Sequence, residues 1–414
     1  MSGRNDQLMD ELFRKEYGKL VATLTRLFGI AHMQLAEDMV QDALITAMDK
    51  WSVEGIPDNP SAWLIQVSKR KVLNELKRNK MILEHHQNLS FANDEIAQID
   101  SVFMEEEIED SQLRMIFTCC HPALNAESQI ALTLKTLCGF GVQEVANAFL
   151  SSKATINKRL YRAKKILRET NAPFSIPSGA ELLPRLQTVT TTLYLLFNEG
   201  YNSSSGDSVI QKAFCLEAIR LTKYLENKFT DVPEIKALLG LMCLHTSRFD
   251  ARIDDAGGIV IFEEQDRSLW SKDLIQKGMQ YLKASMNEKR LTPYHIEASI
   301  AAQHSIAESF EKTNWKAIYE NYQLLNSLKP NPIIQLNLAI IQSRLEGMEE
   351  SLKMLYTIET NNSLVNYHLL PASQGIFLLK LNKPKEAKSY LEKALQMNPS
   401  EKEKEYLKAQ LEKC

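Results

Sequence analysis

Apolar residues within residues 140–168 recur every three or four positions, which is the spacing of one face of an α-helix. A polar turn interrupts the pattern once. Ser151 and Ser152 in that turn are suitable N-cap residues, because a serine hydroxyl accepts a hydrogen bond from the first free N–H groups of a helix. The sequence therefore predicts two helices, residues 142–150 and 153–168, arranged as a helix-turn-helix. The apolar positions are Val145, Ala146, Phe149, Ile156, Leu160, Ala163 and Leu167.

Helical periodicity also dominates residues 32–80 and 185–414, without strong strand alternation. With 15 Gly and 13 Pro among 414 residues, the composition excludes collagen-like and wholly disordered chains. Six irregularly spaced cysteines indicate a reducing compartment. The N-terminal residues form no signal peptide, and no apolar run reaches the roughly 18 residues of a membrane span. We therefore predict an all-α cytoplasmic protein.

Charged residues are distributed unevenly, although 49 Lys and Arg against 52 Asp and Glu leave a formal net charge of −3. Residues 69–80 contain six basic residues and one acid, and residues 153–168 contain seven basic residues and no acid. Between them, residues 84–110 contain nine acids and no Lys or Arg. A single charge run is typical of a solvated helix face, but two basic helices separated by an acidic connector favour a nucleic-acid partner.

The predicted helix-turn-helix supplies the side chains for such a partner. In this motif the start of the second helix contacts base edges in the major groove, while basic neighbours hold phosphates. Asn can form paired hydrogen bonds with adenine, and Lys or Arg can contact guanine. A helical hairpin that binds no DNA is the alternative interpretation. The candidate DNA-binding residues here are Lys153, Thr155, Asn157, Lys158, Arg159 and Arg162.

Two further helices are predicted near the N-terminus, at residues 32–51 and 62–80, joined by a loop rich in Gly and Pro. We interpret the polar outer face of the first as a protein-contact face rather than a metal site, because no His or Cys complements it. Trp63 on the second helix is predicted in the core, with base stacking as the alternative. The polar outer face carries Glu37, Asp38, Gln41 and Asp42.

Three segments in this order resemble the extracytoplasmic-function sigma factors of bacterial RNA polymerase: AEDMVQDALITAMDKW, NPSAWLIQVSKRKVLNELKR and GFGVQEVANAFLSSKATINKRLYRAKKILR. The resemblance covers about residues 8–170. It implies that residues 1–81 form sigma region 2, which binds core polymerase and opens the minus-ten promoter element. It also implies that residues 111–171 form sigma region 4, which reads the minus-thirty-five element.

The resemblance implies roles for individual residues as well. Asp38, Gln41 and Asp42 would dock on the clamp helices of the largest polymerase subunit. The loop at residues 52–59 would capture a flipped-out base, and holding an extruded base in a pocket offsets the lost stacking energy. Glu75 departs from the basic pattern of the minus-ten helix. The residues implied to lie near the minus-ten element are Lys71, Asn74, Lys77 and Arg78.

Two connectors divide the predicted domains. Residues 82–110 are interpreted as an acidic linker, lying either in the polyanion-binding channels of polymerase or free in solvent. Residues 172–184, with three Pro and one Gly, are a second linker. Residues 185–414 are predicted to form a tetratricopeptide-like helical solenoid with one good repeat and one degenerate copy. The positions that define them are Gly375, Ala387, Ala394 and Pro399, then Ala339, Ser351 and Ile358.

Four segments extend the resemblance to a subgroup of these sigma factors with a long C-terminal extension: FTCCHPAL, TLYLLFNEGYNSSSGD, FEEQDRSLW and TPYHIEASIAAQHS. An attached domain of this size implies regulation in cis or an added polymerase contact. The predicted partners are core RNA polymerase, through its clamp helices and flap, promoter DNA, and a regulatory protein or ligand at the extension. No membrane partner is predicted.

Two rival functions remain open at this point. A helix-turn-helix repressor with a ligand-binding helical half fits the same DNA-binding pattern. An enzyme fused to a DNA-binding domain is disfavoured, because no HExxH, GxSxG or Walker pattern occurs, and the cysteines near His121 lack CxxC spacing. No catalytic residue, metal or cofactor is predicted. The acid/base candidates are Glu199, Glu264, Asp266, Arg267, His295 and His304, and the cysteines are Cys119, Cys120 and Cys138.

Overall fold

The computed structural model describes residues 2–84, 105–149, 151–202, 208–252, 260–286, 291–360, 364, 367–397, 399 and 401–414. Within these residues the chain is helical and contains no β-strand, which confirms the all-α prediction. The chain divides into two compact units, Met1–Leu225 and Glu226–Cys414. No helix in the described ranges combines the length and the apolar character that crossing a bilayer requires.

The first unit packs its helices around fully buried aliphatic side chains, such as Leu20, Val21 and Val40. The last helix of the series ends just beyond the boundary at Leu225. The helices are α1 (Ser2–Phe28), α2 (Met33–Glu54), α3 (Pro60–Glu84), α4 (Glu105–Cys119), α5 (Ala126–Thr136), α6 (Val142–Ala148), α7 (Lys153–Glu169), α8 (Leu182–Asn202) and α9 (Ser208–Lys228).

Helices α2 and α3 lie where the N-terminal periodicity predicts them. Helix α2 ends at Gly55, whose φ of 84° is readily reached only by glycine. Helix α3 starts beside Asn59, whose Oδ1 accepts a hydrogen bond from the Ala62 N–H at 3.0 Å. The apolar residues of α3 are not all buried. Leu64, Ser68 and Val72 are buried, whereas Trp63, Val67, Leu73 and Leu76 are only half-buried.

Helices α6 and α7 form the predicted helix-turn-helix pair. Ser152 caps α7, since its Oγ accepts a hydrogen bond from the Thr155 N–H at 3.1 Å. The predicted turn runs through Leu150, which lies outside the described residues. The apolar positions of α7 face inward as expected, and Ile156, Leu160 and Leu167 are at most 5% exposed.

The acidic connector, which is predicted as a linker over residues 82–110, is partly helical. Residues 85–104 lie outside the described residues, but the chain is already helical from Glu105. Arg26 of α1 forms ion pairs with Glu107 and Asp110 of α4. Acids that look like part of a solvated spacer therefore hold α4 against α1.

The chain after the second predicted linker continues within the first unit. The Arg185 side chain donates to the Phe117 carbonyl at 2.6 Å, and the Thr192 hydroxyl donates to Gln129 Oε1 at 2.8 Å. Residues 182–225 thus belong to the first unit, with α8 packed against α4 and α5, whereas the sequence predicts that the solenoid begins at residue 185.

The second unit consists mostly of helices that pack against the next helix in the sequence. Small residues permit close approach: a Cβ at Gly375 would lie 2.7 Å from Leu391 Cγ and 3.2 Å from the Ala387 carbonyl oxygen. Ala387 and Ala394 are fully buried, as the repeat pattern predicts. The helices are α10 (Pro233–Thr246), α11 (Phe249–Arg252), α12 (Lys272–Ser285), α13 (Pro293–Ile306), α14 (Trp315–Leu328), α15 (Pro332–Leu345), α16 (Met348–Thr360), α17 (Leu369–Lys380), α18 (Pro384–Gln396) and α19 (Glu401–Leu411).

Candidate nucleic-acid interface

The solvent face of α7 presents most of the predicted DNA-binding residues. These side chains lie opposite the buried Ile156 and Leu160, so the amphipathic pattern of the helix positions them together. Thr155 is tied to the capping residue, since its Oγ1 lies 2.8 Å from Ser152 Oγ. The exposed residues are Lys153, Thr155, Asn157, Lys158 and Arg162. Lys165 and Arg168 extend the same cationic surface toward the end of the helix.

Arg159 differs from its neighbours on α7. Its guanidinium lies 2.5 Å from Glu127 Oε2 on α5 and 5.5 Å from the ring centre of Phe149. The side chain is 20% exposed, so much of its surface is already covered. In this conformation Arg159 links α7 to α5, and the exposed basic residues of α7 lie on either side of it. The sequence pattern of α7 alone carries no signal for the Glu127 partner.

Lys164 on α7 reaches away from the DNA-facing surface to Glu37 on α2. The Lys164 Nζ lies 2.5 Å from Glu37 Oε2, and the two side chains are 14% and 3% exposed. Lys164 also donates to Gln34 Oε1 at 2.8 Å, and Thr136 Oγ1 donates to Glu37 Oε1 at 3.1 Å. The prediction that Glu37 lies on the outer face of α2 is therefore wrong. The sequence contained a signal for this burial. Glu37 follows the buried Met33 by four residues, and residues four apart lie on the same face of a helix.

The remaining part of the predicted protein-contact face is exposed. Ile45 and Met48 are 57% and 48% exposed and follow the acidic residues at helical spacing. The Gln34 side-chain amide donates to Asp38 Oδ1 at 2.9 Å, which orients one of the carboxylates. A stripe that mixes acids with large apolar side chains is typical of a protein-docking surface. The stripe, here called the α2 stripe, consists of Asp38, Gln41, Asp42, Ile45 and Met48.

The basic face of α3 is also open to solvent. Asn74, Lys77 and Arg78 are exposed, while Lys71 is half-buried. Glu75 Oε1 lies 3.6 Å from Arg78 Nη2, so this acid offsets part of the charge of its neighbour. The face retains an excess of positive charge, which suits contact with nucleic-acid phosphates.

The loop between α2 and α3 lies beside two tryptophans. Trp51 is 5% exposed and its ring centre lies 5.3 Å from that of Trp63, in an edge-to-face contact. Trp63 is half-buried, so the core interpretation describes it better than an open stacking platform. Val53, in the last turn of α2, and Ile56, in the loop, are 86% and 53% exposed. An apolar exposed loop beside an aromatic pair can contact an unstacked base.

Helix α1 joins the N-terminal helices to the helix-turn-helix. A Cβ at Gly18 would lie 1.9 Å from the Leu137 carbonyl oxygen, so only glycine allows this approach. Arg14 forms a 2.9 Å ion pair with Glu144 on α6, and its guanidinium lies 4.5 Å from the ring centre of Phe140. The two cationic surfaces therefore belong to modules that are packed directly against each other.

Residues 12–81, which contain α2, the loop and most of α3, match the family model described as sigma-70 region 2. The chain carries a sigma-70 region 2 domain. The α2 stripe and the basic face of α3 both lie inside the region 2 match. Residues 185–286 match a second model, described as a family of unknown function (DUF6596).

The curated comparison extends over nearly the whole chain. The chain is 35% identical over 383 residues to a relative named "Uncharacterized protein R00370" from Rhizobium meliloti (strain 1021). The match covers 92% of this chain and 90% of the relative, so the two proteins share both units and belong to one family. No solved structure matches the chain.

The cysteines near His121 are packed in the interior. Cys119, Cys120 and Cys138 are at most 1% exposed. Burial is the largest cause that raises the pKa of each thiol, to about 11 for Cys120. A thiol held protonated is a poor metal ligand. The described residues contain no group of three or more His, Cys, Asp or Glu placed to hold a metal ion.

The acid/base candidates of the second half are not brought together. His295 belongs to a capping box at the start of α13, where its Nδ1 lies 2.9 Å from Thr292 Oγ1. Asp266 accepts a hydrogen bond from the Ser268 N–H at 2.8 Å, whereas Arg267 donates to the carbonyls of His304 and Ala307. Glu199 belongs to the first unit, where burial raises its pKa. Arg267 contacts His304, but the two residues do not form a catalytic group with the other acid/base candidates.

Proposed function

We propose that this chain is a sigma-70 family promoter-specificity subunit of bacterial RNA polymerase, of the extracytoplasmic-function type, acting in the cytoplasm. The observation that carries the proposal is the pairing, within the first unit, of a matched region 2 with an exposed cationic helix-turn-helix. A repressor needs a DNA-reading helix but no region 2. The catalytic residues of transcription would then belong to the polymerase, and this chain would supply recognition.

The exposed surfaces support a division of labour. The α2 stripe offers acids and apolar side chains to the polymerase clamp, and the basic face of α3 with its neighbouring loop lies toward the minus-ten element. The start of α7 reads the minus-thirty-five duplex through Lys153, Asn157 and Lys158, while Arg162 holds a phosphate. Both promoter elements would then be bound by positively charged helices, which flank the acidic residues 84–110 in the sequence.

Promoter binding requires the two modules of the first unit to separate. The two elements lie about 25 base pairs apart, which is about 85 Å at the rise of B-DNA. Modules in direct contact through Gly18 and the Glu37–Lys164 ion pair cannot span that distance. The packed arrangement is therefore a form that precedes promoter engagement. Breaking the ion pair on opening would return Lys164 to the cationic face of α7.

We assign the extension a regulatory role, as a helical, tetratricopeptide-like domain that acts in cis on the sigma modules or adds a polymerase contact. Its support is the stacked pairs α15–α16 and α17–α18 with small residues at the close approaches. Paired helices of this kind form surfaces for peptides and proteins.

Binding to core polymerase tests the α2 stripe directly. We expect Asp42→Lys to weaken binding of the full chain to purified core enzyme by about tenfold, because it reverses a charge in the docking stripe. Fluorescence anisotropy with labelled full chain measures the affinity. Asp273→Lys, an equally exposed charge reversal in the second unit, is the matched control and should leave the affinity unchanged.

Two results would contradict the proposal. The first is a wild-type chain that does not bind core enzyme, which would favour the repressor interpretation if the chain still binds DNA. The second is equal weakening by Asp42→Lys and Asp273→Lys, which would show that the α2 stripe has no special role.

A further inference from the structure

The second unit contains a cluster of aromatic rings assembled from separate segments. The Phe262 ring centre lies 4.7 Å from that of His304 and 5.9 Å from that of Trp270. Trp315 lies 5.5 Å from His304 and 4.9 Å from Phe310, which in turn lies 6.0 Å from Phe262. The rings come from two short 3-10 turns and from α13, α14 and the loop between them. We call these five side chains the aromatic cluster.

Three guanidinium groups lie over the aromatic cluster. Arg248 lies 4.5 Å from the ring centre of Phe262, and Arg267 lies 4.5 Å from that of Trp270. Arg344 lies 4.9 Å from the ring centre of Phe310. Stacking on a ring leaves the edge of a guanidinium, where its N–H groups point, able to form hydrogen bonds. Arg248 Nη2 lies 3.4 Å from His245 Nδ1, and Arg344 pairs with Glu263. The cluster therefore combines flat apolar surfaces with positive charge.

Some polar atoms inside the cluster have no hydrogen-bond partner among the described residues. Trp270 is 4% exposed, and its buried Nε1–H, which can only donate, has no acceptor there. Arg267 uses Nη1 for the carbonyls of His304 and Ala307 at 2.7 Å, but its buried Nη2 is likewise unpartnered. Buried donors are normally paired, so these two call for an explanation. Both belong to side chains that stack on each other, and a cationic donor beside a neutral one fits an oxyanion.

The surrounding charges are consistent with an anion. Burial, together with Arg248 and Arg267, lowers the pKa of His304 to about 3, so its imidazole is neutral and adds no competing charge. Two carboxylates face the arginines from the exposed rim. Glu263 lies 3.3 Å from Arg344, and Glu311 accepts a hydrogen bond from the Ser309 hydroxyl at 2.7 Å. Both are exposed, so the inner part of the cluster remains positive.

We propose that the aromatic cluster and its three arginines form a binding site for a small planar molecule that carries an oxyanion, such as a carboxylate or a phosphate. The Arg267 guanidinium and the Trp270 indole N–H would hold the oxyanion. The half-buried faces of Phe262, Phe310 and Trp315 would contact the planar part. Binding at this site is measured on the chain alone and does not depend on the proposed role in transcription.

One substitution separates a ligand site from simple packing. Trp270→Phe keeps an aromatic ring beneath Arg267 but removes the unpartnered N–H. Trp51→Phe is the matched control, because it makes the same chemical change at a buried indole N–H that is also unpartnered among the described residues but belongs to the first unit, outside the aromatic cluster. Thermal unfolding of both variants shows whether each one is folded.

Isothermal titration calorimetry with phenyl phosphate, benzoate and inorganic phosphate gives the affinities of the full chain. We expect one of the two planar anions to bind more tightly than inorganic phosphate, and Trp270→Phe to weaken that binding by roughly tenfold, the usual loss for a hydrogen bond to a charged group. Trp51→Phe should change it by less than about threefold. The preferred planar anion distinguishes a carboxylate ligand from a phosphate ligand.

The indole resonances provide a readout that does not require a stability comparison. The chain has four tryptophans, so the Trp270 Nε1–H signal can be assigned by its loss in Trp270→Phe. We expect this signal to shift downfield when the planar anion is added. The proposal is overturned if none of the three probes binds at millimolar concentration, if Trp270→Phe and Trp51→Phe weaken binding equally, or if the Trp270 signal does not move.

Discussion

The two units place their positive charge in opposite ways. In the first unit Lys153, Lys158 and Arg162 extend from α7 into solvent, where a phosphate backbone can reach them. In the second unit, Arg267 lies over Trp270 and donates to two carbonyl oxygens. A surface cation is inexpensive to remove from the fold but essential to a partner, whereas an inward-facing arginine supports the fold itself. Counting basic residues along the sequence does not distinguish the two uses.

Replacing Arg267 should have the largest effect on stability. Arg267→Gln loses two charge-assisted hydrogen bonds at the end of α13 and the stacking on Trp270, so we expect the free energy of unfolding to fall by about 3 kcal/mol. Urea denaturation measures the change. Arg162→Gln is the surface control and should change it by less than about 0.5 kcal/mol. Equal losses in the two variants would contradict the contrast between the units.

The surface cations should show the reverse pattern. Lys158→Ala combined with Arg162→Ala should weaken binding to promoter DNA in the polymerase complex by about 2 kcal/mol and lower the salt slope by about one for each phosphate that is no longer neutralised. Titrations at several salt concentrations measure both quantities. Lys316→Ala, an exposed lysine of the second unit, is the control. An unchanged salt slope would argue against phosphate binding by this face.

The buried histidines of the second unit predict a pH dependence of stability. The pKa of His304 is lowered from 6.5 to about 3. Between these values the unfolded chain binds a proton that the folded chain does not, so the free energy of unfolding falls as pH falls, by at most about 1.4 kcal/mol per pH unit. His304→Gln should flatten this slope in urea titrations between pH 6.5 and 4.

Part of the slope should survive in His304→Gln. Burial also lowers the pKa of His245 and His295, and both residues remain in the variant. An identical slope in wild type and variant would show that His304 titrates normally in the folded chain.

The smallest expected effect concerns the cap of α7. Ser152→Ala removes the oxygen that accepts the Thr155 N–H, which should lower the free energy of unfolding by about 1 kcal/mol. Ser151→Ala is the control, because in the structure Ser152 is the capping residue. Chemical denaturation of the two variants measures the difference. Equal losses would contradict the assigned cap.

Local rules predicted what depends on local sequence. The helix pair α6–α7, the cap at Ser152 and the close-packed Gly375 follow from periodicity, hydroxyl chemistry and repeat spacing, and all three are found. The placement of other side chains depends on partners that are distant in the sequence. Glu37 looks like a surface acid until Lys164 is brought to it, and Glu107 looks like part of a spacer until Arg26 pairs with it.

The aromatic cluster could not be predicted from the sequence either. FEEQDRSLW supplies Phe262, Arg267 and Trp270, but their neighbours His304 and Arg344 come from helices that follow much later in the chain. The spacing of Arg267 and Trp270 was the local signal, since residues three apart in a tight turn can stack.

Run-off transcription tests the central claim most directly. Purified core polymerase is combined with the full chain and with promoter fragments selected by their complex. We predict transcripts of defined length that require both proteins and that decrease sharply when Lys158 and Arg162 are replaced by alanine. DNA binding by the chain without any transcript from core enzyme would contradict the account.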